Sequence, residues 1–471
     1  MKSVLGKPGF AAINRRQALR LMAGISSAAW VGGCADVQIQ QSRQRPNLLF
    51  ILADDLHVRG LGIQGNQEVY TPNLDRLARE GTRFTQAHVS NPICTPSRAA
   101  LLTGQYGFRN GVTFFGQKIQ PDSPRIAQVL AEQGYTTAFT GKWHNDQRPN
   151  HHGFQLTKHV FLGGMMNDYS STPVVDGPDD AKREIPRYPT EVFTEAALDL
   201  LHEALRREPF ALFVWYTAPH DPRRPTPEYE ALYRDGRISL PPNFMPQPPF
   251  DPGTLEIRDE KLLPRPLDPD ALRQEIGWYY GMITHLDAQI GLLLHALEES
   301  GRQENTLVIF SSDNGLALGS HGLLGKQNLY EEGVRVPLFA RGPGVCAHHT
   351  CETLVDLMDL MPTMCECAGA AIPVGVQGRS LVPWLHGKQG RARDVEFSHY
   401  DDLFRMIKIR RYKLIHHLKS GREELFDLAH DPYELNDLSR SRPYETILSS
   451  LRPRLLAWRQ EMEDPTLAAA T

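Results

Sequence analysis

The chain has 471 residues, of which 41% are hydrophobic, and this length favours one large domain with a smaller one over a single small domain. Its formal net charge is −4, but residues 1–33 hold five basic side chains and no acidic one, so the rest of the chain carries 46 basic against 55 acidic side chains, a net charge of −9. This acidic balance excludes nucleic acid as a partner, since phosphate backbones need a positive face, and leaves room for a local basic pocket that binds a small anion.

Residues 1–33 have the composition of an export signal. The pair Arg15-Arg16 precedes a weakly apolar run of about 11 residues, too short to span a bilayer as a helix. This order is typical of a bacterial twin-arginine signal peptide, and the small residues before Cys34 indicate a lipoprotein cleavage site at which Cys34 becomes lipidated. A buried amphipathic helix is the alternative. With residues 34–45 as a polar tether, we expect an exported bacterial envelope protein, periplasmic or on the surface, that meets the membrane only through a lipid anchor.

Residues 46–386 form the expected catalytic domain, in which four short apolar runs each end abruptly in polar or charged residues. Runs of six to eight residues that are apolar almost throughout are typical of strands buried on both faces of a parallel sheet. Because helical patterns lie between them, the sequence predicts an α/β fold with an open sheet between layers of helices. The predicted strands are 47–53, 135–140, 210–217 and 306–312, and the predicted helices are 122–133, 191–207 and 268–300.

The residues that follow these strands have related chemistry. The carboxyl ends of the strands form the binding crevice of such a sheet, so these side chains are expected to meet there. Oxygen donors without sulfur suit a hard divalent cation, and cations with histidines beside them suit cleavage of an anionic ester, either phosphate or sulfate. The oxygen donors are Asp54, Asp55, Asp313 and Asn314, the cations are Arg98, Lys142 and Lys326, and the histidines are His144 and His220.

Two later regions differ from the strand-and-helix pattern. Residues 221–266 are rich in proline and charge, which predicts a long surface excursion near the site. Residues 387–471 are predicted to form a small α+β domain on an antiparallel sheet. Its expected strands are 395–399, 404–409, 412–416 and 424–428, and its expected helix is 443–463.

Five cysteines remain beside Cys34. The pair Cys346 and Cys351 could form a disulfide, and buried thiols there and at Cys365 and Cys367 are an equal alternative. Cys94 stands alone between Cys34 and Cys346, within the stretch NPICTPSRAALLTG at residues 91–104.

The run Cys94-Thr95-Pro96-Ser97-Arg98, followed by AALLTG, resembles the signature of the sulfatase family, of the formylglycine-dependent type I. The resemblance covers most of the chain after the signal and includes PNLLFILADD, GKWH, APHDP, SSDNG, GKQNLYEEGVR and the later ELFDL with DPYE. It implies the alkaline phosphatase-like fold: a large mixed, mostly parallel sheet between helices, with the smaller C-terminal domain beside it.

The resemblance also implies what Cys94 does. In this family the cysteine is oxidised to formylglycine by a maturation enzyme that recognises Cys-x-Pro-x-Arg. One hydroxyl of the hydrated aldehyde attacks sulfur and displaces the alcohol, and the other then expels sulfate, which is covalent catalysis with a self-releasing intermediate.

The family's other functional residues map onto matching positions of this chain. One calcium ion, with magnesium as the alternative, is expected to be held by Asp54, Asp55, Cys94, Asp313 and Asn314. Arg98 and Lys142 are expected to anchor the hydrate, and His144 to take the proton that starts sulfate release. His220 and Lys326 are expected to bind sulfate, with His220 protonating the leaving oxygen, and His321 is a further candidate for a substrate or proton role.

The resemblance favours hydrolysis of an organic sulfate, with a sulfated carbohydrate as the substrate of an envelope lipoprotein. A phosphonate monoester or phosphodiester hydrolase of the same superfamily is the first alternative. A non-catalytic glycan-binding lipoprotein is the second, although every charged position that the family uses is filled in this chain.

Overall fold

The computed structural model describes residues 45–234 and 238–470 and confirms the α/β class. The predicted signal peptide, Cys34 and residues 34–44 of the predicted tether lie outside the described residues. In chain order the strands and helices are β1 (Asn47–Ala53), α1 (Pro72–Glu80), β2 (Thr82–His88), α2 (Cys94–Thr103), α3 (Gly107–Asn110), α4 (Ile126–Glu132), β3 (Thr136–Lys142), β4 (Leu156–Phe161), β5 (Thr172–Val174), β6 (Arg183–Ile185), α5 (Pro189–Ala204), β7 (Phe210–Trp215), α6 (Pro227–Arg234), α7 (Pro269–Glu299), β8 (Thr306–Ser312), α8 (Glu331–Val334), β9 (Leu338–Arg341), β10 (His349–Asp356), α9 (Leu360–Cys367), α10 (Val382–Leu385), β11 (Glu396–Tyr400), β12 (Phe404–Lys408), β13 (Tyr412–His417), β14 (Glu423–Asp427) and α11 (Glu445–Glu461).

The main sheet has eight strands in the order β10-β2-β9-β8-β1-β7-β3-β4. The four strands that the sequence predicts, β8, β1, β7 and β3, are direct neighbours and run parallel to one another. Their carboxyl ends therefore lie side by side at one edge of the sheet, where the polar residues that follow them are brought together.

Helices cover both faces of this sheet, as its apolar strands require. Every residue of β1, β7 and β8 is buried. Successive residues of β1 enter different hydrophobic cores: Phe50 packs in the core that includes residues of α2, α4 and α9, and Ile51 packs in the core that includes residues of α5 and α7. The sheet is thus held between two helical layers.

The strands that the sequence pattern does not reveal lie mostly towards the edges of the sheet. β9 runs antiparallel to β2 and β8, which makes the sheet mixed. β2 has the sequence TRFTQAH and several half-buried positions, so it lacks the continuous apolar run that marks the central strands. β3 ends later than predicted, at Lys142, which is the last residue of the strand.

The expected C-terminal antiparallel sheet is present, in the order β11-β12-β13-β14, and α11 follows it. Phe404, Met406 and Ile415 of this sheet share a hydrophobic core with the main sheet, whereas Ile407 and Leu414 pack in a core with residues of α11. A domain boundary at residue 387 stays a prediction.

Two further findings concern sequence expectations. Cys351 and Cys365 are buried free thiols and Cys367 is a half-buried free thiol, as in the alternative without disulfides. Within residues 45–234 and 238–470, no helix combines the length and the apolar character that crossing a membrane requires.

Candidate active site

Cys94 is the first residue of α2 and is buried. The preceding Ile93 is extended, and Pro96 is tolerated in the first turn because its missing N–H would have no helical acceptor there. The helix ends at Gly104, whose φ of 67° is the left-handed conformation that glycine adopts without steric cost. All ten residues of α2 are buried, so the helix holds Cys94 rigidly against the ends of the central strands.

The Cys94 thiol lies among opposite charges. Its Sγ atom is 3.0 Å from Nζ of Lys326, 3.4 Å from Nζ of Lys142 and 3.2 Å from Oδ1 of Asp54. Lys142 also forms a short hydrogen bond to Asp54. Two ammonium groups therefore face the position where residue 94 carries its reactive atom.

The four predicted oxygen donors lie together at the adjoining ends of β1 and β8, and all are buried. The Asp55 backbone N–H donates to Asp313 Oδ1 at 3.2 Å, and Asn314 Nδ2 donates to Asp55 Oδ1 at 2.7 Å. Asp55 has a φ of 65°, an uncommon conformation that is concentrated at functional sites.

These donors fit a divalent cation. One possible ligand atom each from Asp54, Asp55, Cys94 and His220 lie within 4.8 Å of one another. Oδ1 of Asn314 is buried and has no hydrogen-bond partner, which is costly unless a ligand occupies it. Burial, and next the facing Asp313 carboxylate, raise the pKa of Asp54, and a bound cation would favour its ionised form instead.

Arg98 holds Asp313 in place. Its Nε donates to Oδ2 of Asp313 at 2.8 Å, and its guanidinium lies over the Trp215 ring, 5.2 Å from the ring centroid. Burial raises the pKa of the Asp313 carboxyl, but the attraction of Arg98 and Lys142 outweighs it and the pKa is lowered. Asp313 is thus kept ionised beside the other oxygen donors.

Lys326 reaches the same centre from the chain after β8. Its Nζ lies 2.6 Å from Oδ1 of Asp55 as well as close to Cys94. Burial lowers the pKa of Lys326, but the nearby charges of Asp55 and Cys94 raise it well above its ordinary value, so the side chain stays a cation.

His220 follows β7, and its two ring nitrogens face different partners, the Asp55 carboxylate and the backbone of Asp221. Its Nε2 is 3.6 Å from Oδ2 of Asp55, while Nδ1 lies 2.7 Å from the backbone oxygen of Asp221. A proton on Nδ1 would be donated to that carbonyl, and Nε2 is the nitrogen that faces the cluster.

His144 lies two residues beyond the end of β3, with a φ of 50°. Its ring stacks on Phe115 at a centroid distance of 5.6 Å, and a Cβ at Gly164 would come within 2.4 Å of its Nε2. Burial, with the positive charges of Lys142 and Arg98, lowers the pKa of His144, so the imidazole is neutral.

An open cleft with a volume of about 310 Å³ reaches this cluster. It includes residues from the segments at 114–115 and 164–165, from the proline-rich excursion at 257–259, and from the C-terminal sheet. The residues that line it are Cys94, Phe114, Phe115, His144, Gly164, Met165, His220, Ile257, Arg258, Asp259, Lys326, Gln327 and Tyr400. The excursion therefore lies at the site, where the sequence placed it.

Sequence reasoning missed three residues that shape this region. The carboxylate of Glu260 accepts hydrogen bonds from the backbone N–H groups of Leu324 and Gly325 at 2.8 and 2.7 Å, which holds the segment before Lys326. Asp259 accepts from Nε2 of Gln327 at 2.6 Å. A role for Gln327 could have been inferred from its position next to Lys326 in the sequence. Asp259 and Glu260 gave no such signal, because the excursion carries no regular pattern.

His321 is placed apart from the other candidates. Its ring stacks on Tyr330 at 3.9 Å, and its Nε2 lies 3.0 Å from Asn243 Nδ2 and 3.8 Å from Glu332 Oε2. It does not line the cleft that contains Cys94. Its substrate or proton role stays a prediction, whereas the remaining candidates lie in one buried cluster, with the half-buried His144 lining the same cleft beside it. The predicted role of each of those residues also stays a prediction.

Comparisons with known proteins agree with this arrangement. The family profile described as "Sulfatase" matches residues 46–370, and one described as "N-sulphoglucosamine sulphohydrolase, C-terminal" matches residues 319–461. The first match alone covers more than half of the chain and includes every residue of the Cys94 cluster.

Individual relatives are similar over nearly the whole length. An "Ulvan-active sulfatase" of Formosa agariphila is 29% identical over 442 residues, which cover 89% of this chain and 82% of the relative. An "N-acetylglucosamine-6-O-sulfatase" of Bacteroides thetaiotaomicron is 27% identical over 490 residues, covering 89% of this chain and 87% of the relative. A solved structure of a protein with its substrate D-glucosamine-2-N,6-O-disulfate has a TM-score of 0.79 and 25% identity, covering 89% of this chain and 99% of that one. The chain belongs to the sulfatase family.

Proposed function

We propose that this enzyme removes sulfate from a sulfated carbohydrate, using a formylglycine made from Cys94 and one bound calcium ion. The observation that carries the proposal is the position of Cys94 at the start of a buried helix, with its Sγ within 3.4 Å of two lysines and one carboxylate in a cluster of oxygen donors. A buried thiol without function would not need three charged groups desolvated around it.

The charged groups beside residue 94 suit an anionic reaction. When hydrated, formylglycine supplies two hydroxyls on one carbon, one to attack sulfur and one to release sulfate. The ammonium groups of Lys142 and Lys326 stabilise negative charge at this position, and Arg98 holds Asp313 and lies 3.7 Å from Asp54.

The donors Asp54, Asp55, Asp313 and Asn314 would hold the calcium ion, together with residue 94. The ion would supply electrostatic stabilisation to an oxygen of the sulfate group. The unpartnered Oδ1 of Asn314 and the clustering of the carboxylates support this assignment, and an all-oxygen donor set suits calcium better than zinc.

The two histidines divide the proton transfers. His144, which lines the same cleft as residue 94, accepts a proton from that residue when sulfate is released. His220 directs Nε2 to the cluster and is the group that protonates the oxygen of the departing alcohol.

The carbohydrate substrate is supported by the relatives and by the cleft. One relative is described as ulvan-active and another as an N-acetylglucosamine-6-O-sulfatase, and the solved structure above contains a sulfated glucosamine. A volume of about 310 Å³ is at the small end of the range for ligand pockets, which suits a single sugar ring.

The test is turnover of three ester classes by protein produced together with a maturation enzyme. We expect release of sulfate from sulfated monosaccharides, with much slower hydrolysis of a phosphodiester and a phosphonate monoester, and background activity for Cys94→Ala. Faster hydrolysis of either phosphorus ester would favour the related hydrolase, and binding of sulfated glycans without turnover would favour a glycan-binding protein.

We also propose that the protein is exported through its twin arginines and anchored by lipid on Cys34, with the maturation enzyme acting before export is complete. Replacing Arg15-Arg16 by two lysines should block export, and Cys34→Ala should release the protein from membrane fractions. Unchanged membrane fractionation of the Cys34→Ala variant would refute the anchor.

A further inference from the structure

The entrance of the cleft has an aromatic part beside His144. Phe115 stacks on the His144 ring, packs edge-on against Phe114 at 5.2 Å, and still leaves 38% of its surface exposed. Phe114 in turn contacts Tyr400, which also lines the cleft. Phe115 therefore offers an open aromatic face next to the reacting centre, where a ring-shaped ligand would cover it.

The polar part of the entrance comes from the excursion and is charge-compensated. Arg258 is bound between two carboxylates, with hydrogen bonds to both oxygens of Asp221 and to Asp259. Asp221 is buried behind this pair and does not line the cleft, so the entrance presents Arg258 and Asp259 as a paired cation and carboxylate. Asp259 also accepts from Gln327, and charge attraction from Lys326 and Arg258 outweighs burial and lowers its pKa, so it is a carboxylate.

The buried end of the cleft, at the Cys94 cluster, therefore differs in charge from the entrance. Among the described residues that line the cleft, the lysine and arginine side chains are Lys326 and Arg258. Lys326 is buried at the Cys94 cluster, and Arg258 is already paired with two acids. A second anionic group near the entrance would meet no unpaired lysine or arginine there, and Asp259 would repel it.

We propose that the cleft selects a sugar ring that carries one sulfate and no other charge, with its apolar face on Phe115 and its hydroxyl groups hydrogen-bonded to Asp259 and Gln327. This inference rests on the proposed function, because it takes the sulfate group to lie at the Cys94 cluster. It makes Phe115 and Asp259 specificity-determining residues rather than catalytic ones.

The experiment compares monosulfated N-acetylhexosamines and galactoses with disulfated sugars and sulfated uronic acids of matching sulfate position. Inorganic sulfate serves as a competitive inhibitor that fills only the sulfate pocket. For Phe115→Ala we expect KM for the preferred monosulfated sugar to rise about tenfold, from the loss of an aromatic contact, with kcat within about twofold. The inhibition constant of inorganic sulfate should not change, and Phe115→Tyr should restore KM.

The variant Asp259→Asn tests the charge argument. It removes one negative charge from the entrance and keeps a hydrogen-bond acceptor, so the ratio of kcat/KM for disulfated over monosulfated sugar should rise. The matched controls are Tyr70→Ala, at an exposed aromatic residue, and Glu299→Gln, at an exposed acid. Both should leave KM for the monosulfated sugar and the kcat/KM ratio of disulfated over monosulfated sugar unchanged.

Several results would overturn the proposal. A wild-type preference for disulfated or uronic sugars would contradict it. An equal loss for sugar turnover and for sulfate inhibition in Phe115→Ala would mean that Phe115 only supports His144. Either result leaves sulfate release intact, whereas absence of turnover on every sulfate ester would instead refute the proposed function.

Discussion

At the scale of single residues, the site balances three buried carboxylates against three buried cations. Asp54, Asp55 and Asp313 would repel one another, and Lys142, Lys326 and Arg98 each contact at least one of them. The unpartnered amide oxygen of Asn314 adds a donor that none of these contacts uses. A cation bound here would join the carboxylates and leave the lysines free to act on the substrate.

Removal of the metal is expected to abolish turnover. Chelation should lower kcat by about two orders of magnitude or more, since a bound metal contributes several kcal/mol to transition-state stabilisation, and added calcium should restore it. Asp313→Ala should lose calcium binding in calorimetry as well as activity, and the exposed Glu228→Ala should lose neither. Full activity of thoroughly metal-free enzyme would refute the calcium assignment.

Most of these residues could be predicted because each follows an apolar strand or belongs to a recognisable motif. Asp54 and Asp313 directly follow the central strands β1 and β8, so sheet topology alone brings them together. Phe115, Asp259 and Glu260 could not be predicted, because they lie on irregular segments whose position depends on tertiary packing. His321 has a motif-like sequence context but is held by Asn243 and Tyr330 away from the cleft.

At the scale of elements, the irregular excursion at residues 221–266 supports the segment that carries Lys326. The turn at Arg258–Lys261 holds the segment before Lys326 through Glu260, whose two oxygens accept from Leu324 and Gly325. Arg265 contacts the same carboxylate. The position of the Lys326 ammonium group therefore depends on a residue outside the main sheet.

Loss of this support should reduce catalysis without removing any group that contacts the substrate. Glu260→Ala is expected to lower kcat/KM about tenfold, since a backbone N–H left without its charged acceptor costs about 1–3 kcal/mol and the loop shifts. Glu260→Gln should recover part of the loss because it can still accept. Glu256→Ala, an exposed acid nearby in sequence, is the control, and an unchanged kcat/KM in Glu260→Ala would contradict this role.

The elements differ in how far sequence could predict them. The central strands and α7 are long, apolar or amphipathic segments, and their predicted bounds are within three residues of those observed. β2, β9 and β10 contain polar or half-buried positions, and β10 has an irregular register against β2, so local periodicity does not mark them. Their existence depends on pairing with strands far away in the sequence.

At the scale of the whole molecule, several histidines are buried in the interior of the fold. Burial lowers the pKa of His285 to about 4, of His88 to about 4 and of His399 to about 3. Each is neutral in the folded protein at pH values where it would be charged in the unfolded chain. The fold is therefore expected to lose stability in mild acid.

His285 on α7 gives the clearest test of this pH dependence. It stacks on Tyr229 at 4.5 Å, contacts Tyr188, and has Glu191 3.7 Å from its Nε2. Because its folded pKa lies below the unfolded value, the unfolded chain binds more protons, and stability is present above pH 6.5 and is lost as pH falls towards 4. At pH 5 this loss is about 2 kcal/mol.

Urea unfolding at pH 7 and pH 5 would measure the effect. His285→Phe keeps an aromatic ring that cannot titrate, so it should reduce the difference in unfolding free energy between the two pH values. His295→Phe, at an exposed position on the same helix, is the matched control and should leave that difference unchanged. An identical pH dependence for His285→Phe and the wild type would contradict the role of burial.

The central claim is that residue 94 of the working enzyme is formylglycine rather than cysteine, and the mass of one tryptic peptide tests it directly. Cleavage after Arg83 and Arg98 releases residues 84–98 with residue 94 as their only cysteine position. In active enzyme the mass of this peptide should correspond to an aldehyde in place of the thiol, and activity should rise in proportion to the converted fraction. Full turnover of a sulfate ester by protein whose peptide carries only the unmodified Cys94 thiol would contradict the account.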